Sequence, residues 1–414
     1  MAAELIAAQR TTTRRAANAG FTIIEMMIAT MIMVSVTAAV FTVMNPAQGV
    51  YQSQPEVSDM QQRLRVGADA LTKDIMMAGA GVYMGSSSGS LSNYFAPLMP
   101  YRIGDVQDDP AAGVFYRPDT ISMMYVPPTN AQTGVNKAMG NGNSQEIDVD
   151  AQMNCGANVH TQLCGFSVGQ RVLIMDVDGT WDYVTITNVQ NEALHLQHSD
   201  KLSGGYSSGL AVITEIAAHT YYLKTDIPNN TYQLMHYDGT GNPDTPIVDN
   251  VVKLQFSYYG DPQPPQLLPQ PPMSLASTVG PWTTYGPKPP ALGVNNASDS
   301  WPAGENCAFQ VVNGLTVPRL PTLAANESEV LLTQAQLSDG PWCPDAARAD
   351  RFDADLLRIR KVRVDMRVQA ALKSLRGPAG ALFMRGGTST SSTRYVPDQE
   401  IRFDITPRNL NLGR

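Results

Sequence analysis

Apolar side chains follow one another almost without a break from Phe21 to Met44, and Glu25 is the only ionisable residue in that run. An α-helix rises about 1.5 Å per residue, so a helix over 21–44 reaches across a hydrocarbon core of roughly 30 Å. Soluble domains seldom carry such a stretch. The pattern therefore predicts a membrane-spanning helix near the start of the chain.

A second, amphipathic helical pattern follows the apolar run. Its apolar residues recur at spacings of three, four and seven, which place side chains on one helix face, namely at Val57, Met60, Leu64, Leu71 and Ile75. Asn45-Pro46 is predicted to interrupt or kink the helix between the two patterns, because proline lacks a backbone N–H and clashes with the preceding turn. We expect residues 45–81 to continue the helix and to lay its apolar face on a sheet.

Most of the remaining chain alternates apolar and polar residues, with Gly, Pro, Asn or Asp at the ends of each run, as is typical of β-strands. This pattern predicts strands at 120–126, 171–175, 183–189, 193–197, 211–215, 219–224, 231–237, 251–259, 362–368 and 401–405. The expected fold class is α+β, with the long N-terminal helix packed on an antiparallel β-sheet headgroup. The headgroup is expected to comprise a β-rich part, 82–260, and C-terminal strands in 351–414.

Residues 261–350 depart from this alternation and are rich in proline, as at Pro264-Pro265. We call them the proline-rich segment, and they predict an extended, Cys-containing insertion between two strands of one sheet. Its aromatic residues Trp282, Tyr285 and Trp301 suit either an adhesive contact or packing onto the headgroup. The packing interpretation is favoured.

The four cysteines form two pairs that are close in sequence, Cys155 with Cys164 and Cys307 with Cys343. The predicted span exports everything after residue 44 into a compartment where disulfides persist. Three pairings are formally allowed, and the two local loops require the least chain organisation. Local disulfides are therefore the favoured interpretation. The rival, a zinc site with Cys155, His160 and Cys164, lacks a fourth ligand and the usual short Cys spacing.

Composition limits the functions that remain. The net charge of -8 argues against general nucleic-acid binding, and a hydrophobic fraction of 43% with 16% charged residues is adequate for a packed core. The five histidines are scattered along the sequence, and neither a Gly-x-Ser-x-Gly nucleophile motif nor a phosphate-binding glycine loop is present. The sequence thus predicts neither an enzyme nor a cofactor.

One acidic loop invites a metal interpretation. Asp176, Asp178 and Asp182 place three carboxylates within one turn, and oxygen clusters of this sort can hold Ca²⁺. The loop is not an EF-hand, because Gly179 is at its fourth position and Thr187 at its twelfth, where that loop needs Glu. The close flanking strands favour a hairpin turn instead, so these residues are weak calcium candidates.

The segment before the apolar run is polar and cationic, with Arg10, Arg14 and Arg15 against a single acid, Glu4. Such residues favour the cytoplasmic side of a membrane. A secretory signal places its cleavage site after the apolar segment, whereas here Gly20 precedes it. Residues 1–20 are therefore predicted to be a leader that is removed while the apolar helix stays on the mature chain.

Gly20 is followed by Phe21-Thr22 and then Glu25, and this Gly-Phe-Thr-x-x-Glu motif resembles that of type IV prepilins and of the pseudopilins of type II secretion. The resemblance implies that a prepilin peptidase cuts after Gly20 and methylates the new amine on Phe21. It also implies that Glu25 pairs with the N-terminal amine of a neighbouring subunit. A carboxylate at this depth costs roughly 2.5 to 3.5 kcal/mol on insertion scales, so it needs such a partner.

Three further stretches carry a second resemblance: Val-Lys-Leu-Gln-Phe-Ser-Tyr-Tyr-Gly at 252–260, Lys-Val-Arg-Val-Asp-Met-Arg-Val at 361–368 and Pro-Arg-Asn-Leu at 407–410. Together with the long helix they look like the minor pilin PilW family, with pseudopilin J as a relative. The resemblance implies a subunit that primes pilus assembly and is not an enzyme. Its implied partners are prepilin peptidase, other minor and major pilins and the inner-membrane assembly platform.

The implied location is the inner membrane, crossed once with a periplasmic headgroup, and then the pilus at the cell surface. A large headgroup is hard to repeat along a packed filament, which favours a position at or near the tip. Two alternatives stay open: a pseudopilin J-like subunit of type II secretion, and an extracytoplasmic enzyme or receptor tethered by a simple anchor.

Overall fold

The computed structural model describes residues 20–82, 90–103, 116–129, 131–140, 146–152, 155, 162–191, 193–198, 202, 205–239, 243–268, 282–289, 301–344, 351–390 and 392–411. The predicted leader, apart from Gly20, lies outside these ranges, as do parts of the proline-rich segment and His160. The chain has an α+β fold with one long N-terminal helix and several antiparallel sheets.

The helix, α1, runs from Ile23–Met77 without a break over 55 residues. An interruption at Asn45-Pro46 is therefore wrong, whereas a kink at this point stays a prediction. Proline removes one backbone hydrogen bond and its ring crowds the preceding turn, at a local cost of about 3 kcal/mol. The second half of the helix is packed against the sheets, and this tertiary packing offsets that cost.

Short 3₁₀ helices occur at Leu91–Asn93, Ala354–Arg358, Lys373–Leu375, Ser392–Arg394 and Arg408–Leu410. The β-strands of the described residues are β1 Leu98–Met99, β2 Thr120–Tyr125, β3 Gln132–Gly134, β4 Glu146–Asp148, β5 Arg171–Met175, β6 Trp181–Gln190, β7 His195–His198, β8 Val212–Glu215, β9 Ala217–Asp226, β10 Thr231–Tyr237, β11 Thr245–Asp249, β12 Val251–Gly260, β13 Leu267–Leu268, β14 Trp282–Thr283, β15 Phe309–Val312, β16 Leu315–Pro318, β17 Val330–Leu332, β18 Trp342–Cys343, β19 Phe352–Asp353, β20 Ile359–Val368 and β21 Gln399–Ile405. Each of the ten strands expected from alternation coincides with one of these, within a few residues at its ends.

Two antiparallel sheets carry the C-terminal half of α1. The first sheet has the strand order β1-β2-β9-β10-β11 and the second β17-β12-β20-β21. In the second sheet Phe256 lies opposite Val364, which in turn lies opposite Phe403. Strands of both sheets contact α1. The helix therefore lies across the two sheets and joins their hydrophobic cores.

The apolar stripe predicted on the second half of α1 is the face that is buried. Met60, Leu64, Leu71 and Ile75 all belong to the main core, and Val57 packs at its edge. A β-carbon added at Gly67 would come within 2.8 Å of the Met366 side chain on β20. A side chain at position 67 would therefore have to displace the flexible end of the Met366 side chain.

The end of α1 is held by hydrogen bonds to β2 and to the C-terminal part of the chain. Gly79 has a φ of 78°, and its N–H donates to the carbonyl of Met124 on β2 at 2.9 Å. The side-chain amide of Asn409 donates to the carbonyl of Met77 at 3.3 Å. Since Asn409 lies in the Pro-Arg-Asn-Leu stretch, that stretch packs at the helix end.

A third sheet has its own core. Its order is β3-β8-β5-β6-β7-β4, and all of its strand pairs are antiparallel. Val172, Ile174, Val184, Leu196 and Ile213 are buried within this second cluster of apolar side chains. Residues 82–260 thus contain more than a single helix-on-sheet unit.

The described parts of the proline-rich segment are packed against the main core. Strand β17 pairs with the end of β12 and forms an edge of the second sheet. Tyr285, Leu320, Leu332 and Leu337 are buried in the same core as α1. Although the segment lacks the alternating pattern of the other strands in sequence, its strand β17 forms part of the second sheet.

Leu71 tests the packing of α1 on the sheets. It is fully buried, whereas Val66 on the same helix is 43% exposed. We expect Leu71→Ala to lower the free energy of unfolding by about 2–5 kcal/mol, because it removes buried methyl groups and leaves a cavity. The matched control, Val66→Ala, should change it by about 0.5 kcal/mol or less. Urea unfolding of the full chain in detergent micelles, followed by circular dichroism, measures both; equal effects would contradict this packing.

Candidate functional site

The motif at the start of α1 forms a compact polar unit. Thr22 is the N-cap, and its hydroxyl oxygen accepts a hydrogen bond from the Glu25 N–H at 3.2 Å. One carboxylate oxygen of Glu25, Oε2, accepts from the Thr22 N–H and from the Thr22 hydroxyl, each at 2.9 Å. This reciprocal capping box satisfies backbone donors that a helix otherwise leaves open. The structure thus brings Thr22 and Glu25 together, with Gly20 and Phe21 exposed just before them.

The apolar half of α1 is fully exposed in the described chain. Residues Ile23–Met44 form a helix that is long and apolar enough to cross a membrane, and none of its most apolar window is buried. Phe41 is 66% exposed and Met31 is 71% exposed. A helix of this kind near the N-terminus serves as a single membrane span or as a signal sequence.

Polar side chains within the apolar half are satisfied inside the helix. Each hydroxyl donates to a backbone carbonyl three or four residues earlier, at 2.7 to 2.9 Å, in Thr30, Ser35, Thr37 and Thr42. Such bonds remove the need for an outside partner. Each of these hydroxyls has used its donor within the helix, and Glu25 is the only ionisable residue in this half.

Both local cysteine pairs are joined by disulfides, with Cα–Cα distances of 5.6 Å for Cys155–Cys164 and 5.1 Å for Cys307–Cys343. Cys307 and Cys343 lie in the main core. Their bond closes a 36-residue separation inside the proline-rich segment. The disulfide thus crosslinks two parts of the segment to each other, and both parts are held on the core by apolar contacts.

Two of the three aromatic residues singled out in this segment are engaged within the molecule. The Tyr285 hydroxyl donates to the carbonyl of Gln263 at 2.7 Å, and its ring is buried. The Trp301 indole N–H donates to the carbonyl of Pro344 at 2.7 Å, and the Arg319 guanidinium lies 4.3 Å above its ring. These contacts agree with the packing interpretation. The side chain of Trp282 lies outside the described residues.

The acidic loop forms the turn between β5 and β6. Asp176 accepts from the backbone N–H of Ser207 at 2.6 Å, and Asp182 accepts from the Tyr206 hydroxyl at 2.7 Å. Asp178 instead accepts from the Thr180 N–H at 2.8 Å, and burial raises its pKa. The three carboxylates thus accept hydrogen bonds from three different donors, which lie in the hairpin turn or on a neighbouring part of the chain.

Three residues far apart in sequence meet where the end of α1 lies on the first sheet. Asp74 on α1, His219 on β9 and His236 on β10 place one ligating atom each within 4.8 Å of the others. We call them the Asp–His cluster. Nδ1 of His219 and Nε2 of His236 are 2.8 Å apart, so one imidazole donates a hydrogen bond to the other. No sequence motif marks this cluster, because its three residues are far apart in the chain.

Two tyrosines surround the cluster. The hydroxyls of Tyr125 and Tyr221 donate to Asp74, at 3.2 Å to Oδ1 and 2.7 Å to Oδ2. The Tyr125 ring stacks on His219, and the Tyr221 ring stacks on His236. Burial lowers the pKa of both histidines and raises the pKa of both tyrosines. Both imidazoles are thus biased towards the neutral form.

A second group of acids is buried near the Cys307–Cys343 disulfide. Asp353 is fully buried and accepts from the N–H groups of Gly340, at 2.6 Å, and Asp355, at 2.8 Å. Asp355 forms an ion pair with buried Arg358, whose guanidinium also donates to carbonyls of the proline-rich segment. Burial raises the pKa of Asp353 to about 7 and that of Asp355 to about 6. These groups hold the segment in place.

Comparison of the chain with family models, with curated proteins and with solved structures finds no match.

The raised pKa of Asp353 predicts that the free energy of unfolding falls as the pH rises. In the unfolded chain its carboxyl releases its proton near pH 4, whereas the folded carboxyl holds a proton up to about pH 7. The folded state binds more protons between these values, so the stabilisation is complete below pH 4 and is lost as the pH rises through about 7. We expect Asp353→Asn to shrink the difference in unfolding free energy between pH 5 and pH 8 by about 2–3 kcal/mol.

Urea unfolding at the two pH values measures this difference. The exposed Asp69 on α1 provides the control, since Asp69→Asn should leave the pH dependence as it is in the original chain. The same pH dependence in Asp353→Asn and in the original chain would show that Asp353 does not carry this proton.

Proposed function

We propose that this chain is a minor type IV pilin, a structural subunit that is cut after Gly20, methylated on the amine of Phe21 and joined to other pilins through its N-terminal helix. The observation that carries the proposal is the division of α1. Its first half is apolar, fully exposed and preceded by the cleavage motif, and its second half is built into the core of the headgroup.

The exposed half needs a cover. A continuous apolar surface of this length is unstable in water, and within the described residues no side chain packs over it. Lipid supplies the cover while the subunit is in the inner membrane. Helices of neighbouring subunits supply it after extraction into a filament, so the same surface serves for anchoring and for assembly.

Glu25 supports the assembly step through its second carboxylate oxygen. Both Thr22 donors bind Oε2, so Oε1 has no hydrogen bond among the described residues and can accept from a cation. Cleavage after Gly20 creates that cation, the free amine of Phe21, and leaves the Thr22 N–H intact. We infer that Thr22 holds the carboxylate in place and that Oε1 receives the amine of the adjacent subunit.

The headgroup fits a pilin-like interpretation. In it the second half of α1 lies on an antiparallel sheet, and the proline-rich segment is an insertion between β12 and β20. These two strands are adjacent in the second sheet although the whole segment separates them in sequence. Adjacent antiparallel strands are usually joined by a short turn, so the intervening segment reads as an addition to a simpler sheet.

The helix, the cleavage motif and the headgroup together suggest how the subunit is inserted, processed and assembled. The chain crosses the inner membrane once with a periplasmic headgroup, is processed by prepilin peptidase and is extracted at the assembly platform with other minor and major pilins. The third sheet and the proline-rich segment make the headgroup bulky, which favours a position at or near the pilus tip. A pseudopilin of type II secretion is processed in the same way, and the identity of the partner subunits separates the two.

Replacing Glu25 tests the proposal. We expect the Glu25→Gln variant to be cleaved after Gly20 like the original chain. The amount of other pilins that co-purifies with it should fall at least about tenfold, because a hydrogen bond to a charged group contributes about 1.5–3 kcal/mol. The control is Ser35→Ala in the same apolar half, whose hydroxyl bonds only within the helix. It should retain both cleavage and partners.

Cells that express the chain with their own prepilin peptidase and pilins provide the material. Crosslinked membranes are solubilised, the chain is purified, and the bound proteins and the N-terminal peptide are measured by mass spectrometry. Undiminished recovery of pilins with Glu25→Gln, or an equal loss with Ser35→Ala, would refute the proposed pairing.

A further inference from the structure

We propose that Asp74, His219 and His236 bind a divalent transition-metal ion, with zinc as the ion of best fit, and that the ion links the end of α1 to the first sheet. The inference is independent of the pilin proposal, because it concerns a side-chain cluster in the headgroup that assembly does not use.

The choice of metal follows from the donor atoms. Two imidazole nitrogens and one carboxylate oxygen form a set that suits zinc and other first-row transition metals, whereas Ca²⁺ and Mg²⁺ prefer oxygen ligands alone. Three protein ligands leave a fourth position for water or another small ligand. The ligating atoms already lie within 4.8 Å of one another, so the set is gathered before any ion binds.

Only a small movement of the two imidazoles is needed to bring their facing nitrogens to zinc geometry. Zinc–nitrogen distances of about 2.0–2.1 Å set two nitrogens of a tetrahedral site about 3.3 Å apart. The facing nitrogens of His219 and His236 are 2.8 Å apart, so the rings must separate by about half an ångström. The donor imidazole shifts its hydrogen to its other ring nitrogen, and the ion takes the place of the shared hydrogen without a net change in protons.

Secondary contacts orient the ligands. Each Asp74 oxygen accepts one tyrosine hydroxyl, at 3.2 Å from Tyr125 and 2.7 Å from Tyr221. A carboxylate has about four acceptor positions, so two are filled and others stay available for a cation. Hydrogen-bonded carboxylates and stacked imidazoles of this kind are the outer support that metal sites require.

The local charge also favours a cation. Asp74, Asp238 and Asp244 all act electrostatically on His236, and Asp74 and Asp238 act on His219. Lys73 opposes them, and Asp244 is already paired with Arg102 at 3.0 Å. Both rings remain partly exposed, so an ion can reach them from solvent.

The test uses the full chain in detergent micelles, without a polyhistidine tag and after treatment with a chelator. Isothermal titration with Zn²⁺ measures stoichiometry and affinity, and Co²⁺ provides a visible absorption spectrum that reports the ligands. We expect one ion per chain, displaced by Zn²⁺ in the cobalt experiment. Titration with Mg²⁺ should give no binding at this site.

Variants assign the site. His219→Gln and Asp74→Asn should each weaken Zn²⁺ binding by at least about tenfold, and Tyr221→Phe, which removes only the hydroxyl that orients Asp74, should weaken it by about 10–100-fold. The control is His195→Gln in the third sheet. His195 uses opposite ring nitrogens for Glu146 and Asp148, so those groups do not converge on one point.

Circular dichroism first establishes that each variant is folded. If a variant does not fold, the cobalt spectrum of the original chain still tests whether histidine and carboxylate ligands bind the ion. Absence of one-to-one Zn²⁺ binding to the original chain would overturn the proposal. Binding that survives His219→Gln and Asp74→Asn in folded protein, or that is lost with His195→Gln, would also overturn it.

Discussion

Burial of one face of α1 between two antiparallel sheets is the contact on which the rest of this molecule depends. The face at Met60, Leu71 and Ile75 joins the cores of the first and second sheets, and Gly67 lets the helix approach β20 closely. The same helix continues as an apolar rod with no cover in the described chain. A single continuous helix thus connects the apolar half to the headgroup.

Polar contacts fix the two ends of this helix in different ways. At its start Thr22 and Glu25 satisfy one another, and Oε1 of Glu25 has no hydrogen bond within the part of the chain that the structure describes. At its end Asp74 is held by tyrosines of β2 and β9, beside a histidine pair. The first arrangement suits a contact with another chain, and the second suits an internal link between helix and sheet. Both follow from placing a carboxylate where backbone or side-chain donors converge.

Local patterns in the sequence were enough to predict the helix face, the principal strands and the loops that the disulfides close, because each depends on residues near one another. Pro46 favours an interruption by its local cost alone, and α1 shows none because tertiary packing maintains the helix. The Asp–His cluster was beyond reach for another reason. Asp74 and Tyr221 lie 147 residues apart, and only the strand register brings His236 beside His219 and the helix. The packing of the proline-rich segment likewise required the sheet order.

The mass of the N-terminal peptide, measured on full-length protein from cells with and without prepilin peptidase, tests the central claim most directly. If α1 is a processed assembly helix, the chain will begin at methylated Phe21 when the peptidase is present and will keep Gly20 and the residues before it when the peptidase is absent. An N-terminus that is the same in both cells would contradict this account and would mark the apolar half of α1 as a simple anchor or a signal sequence.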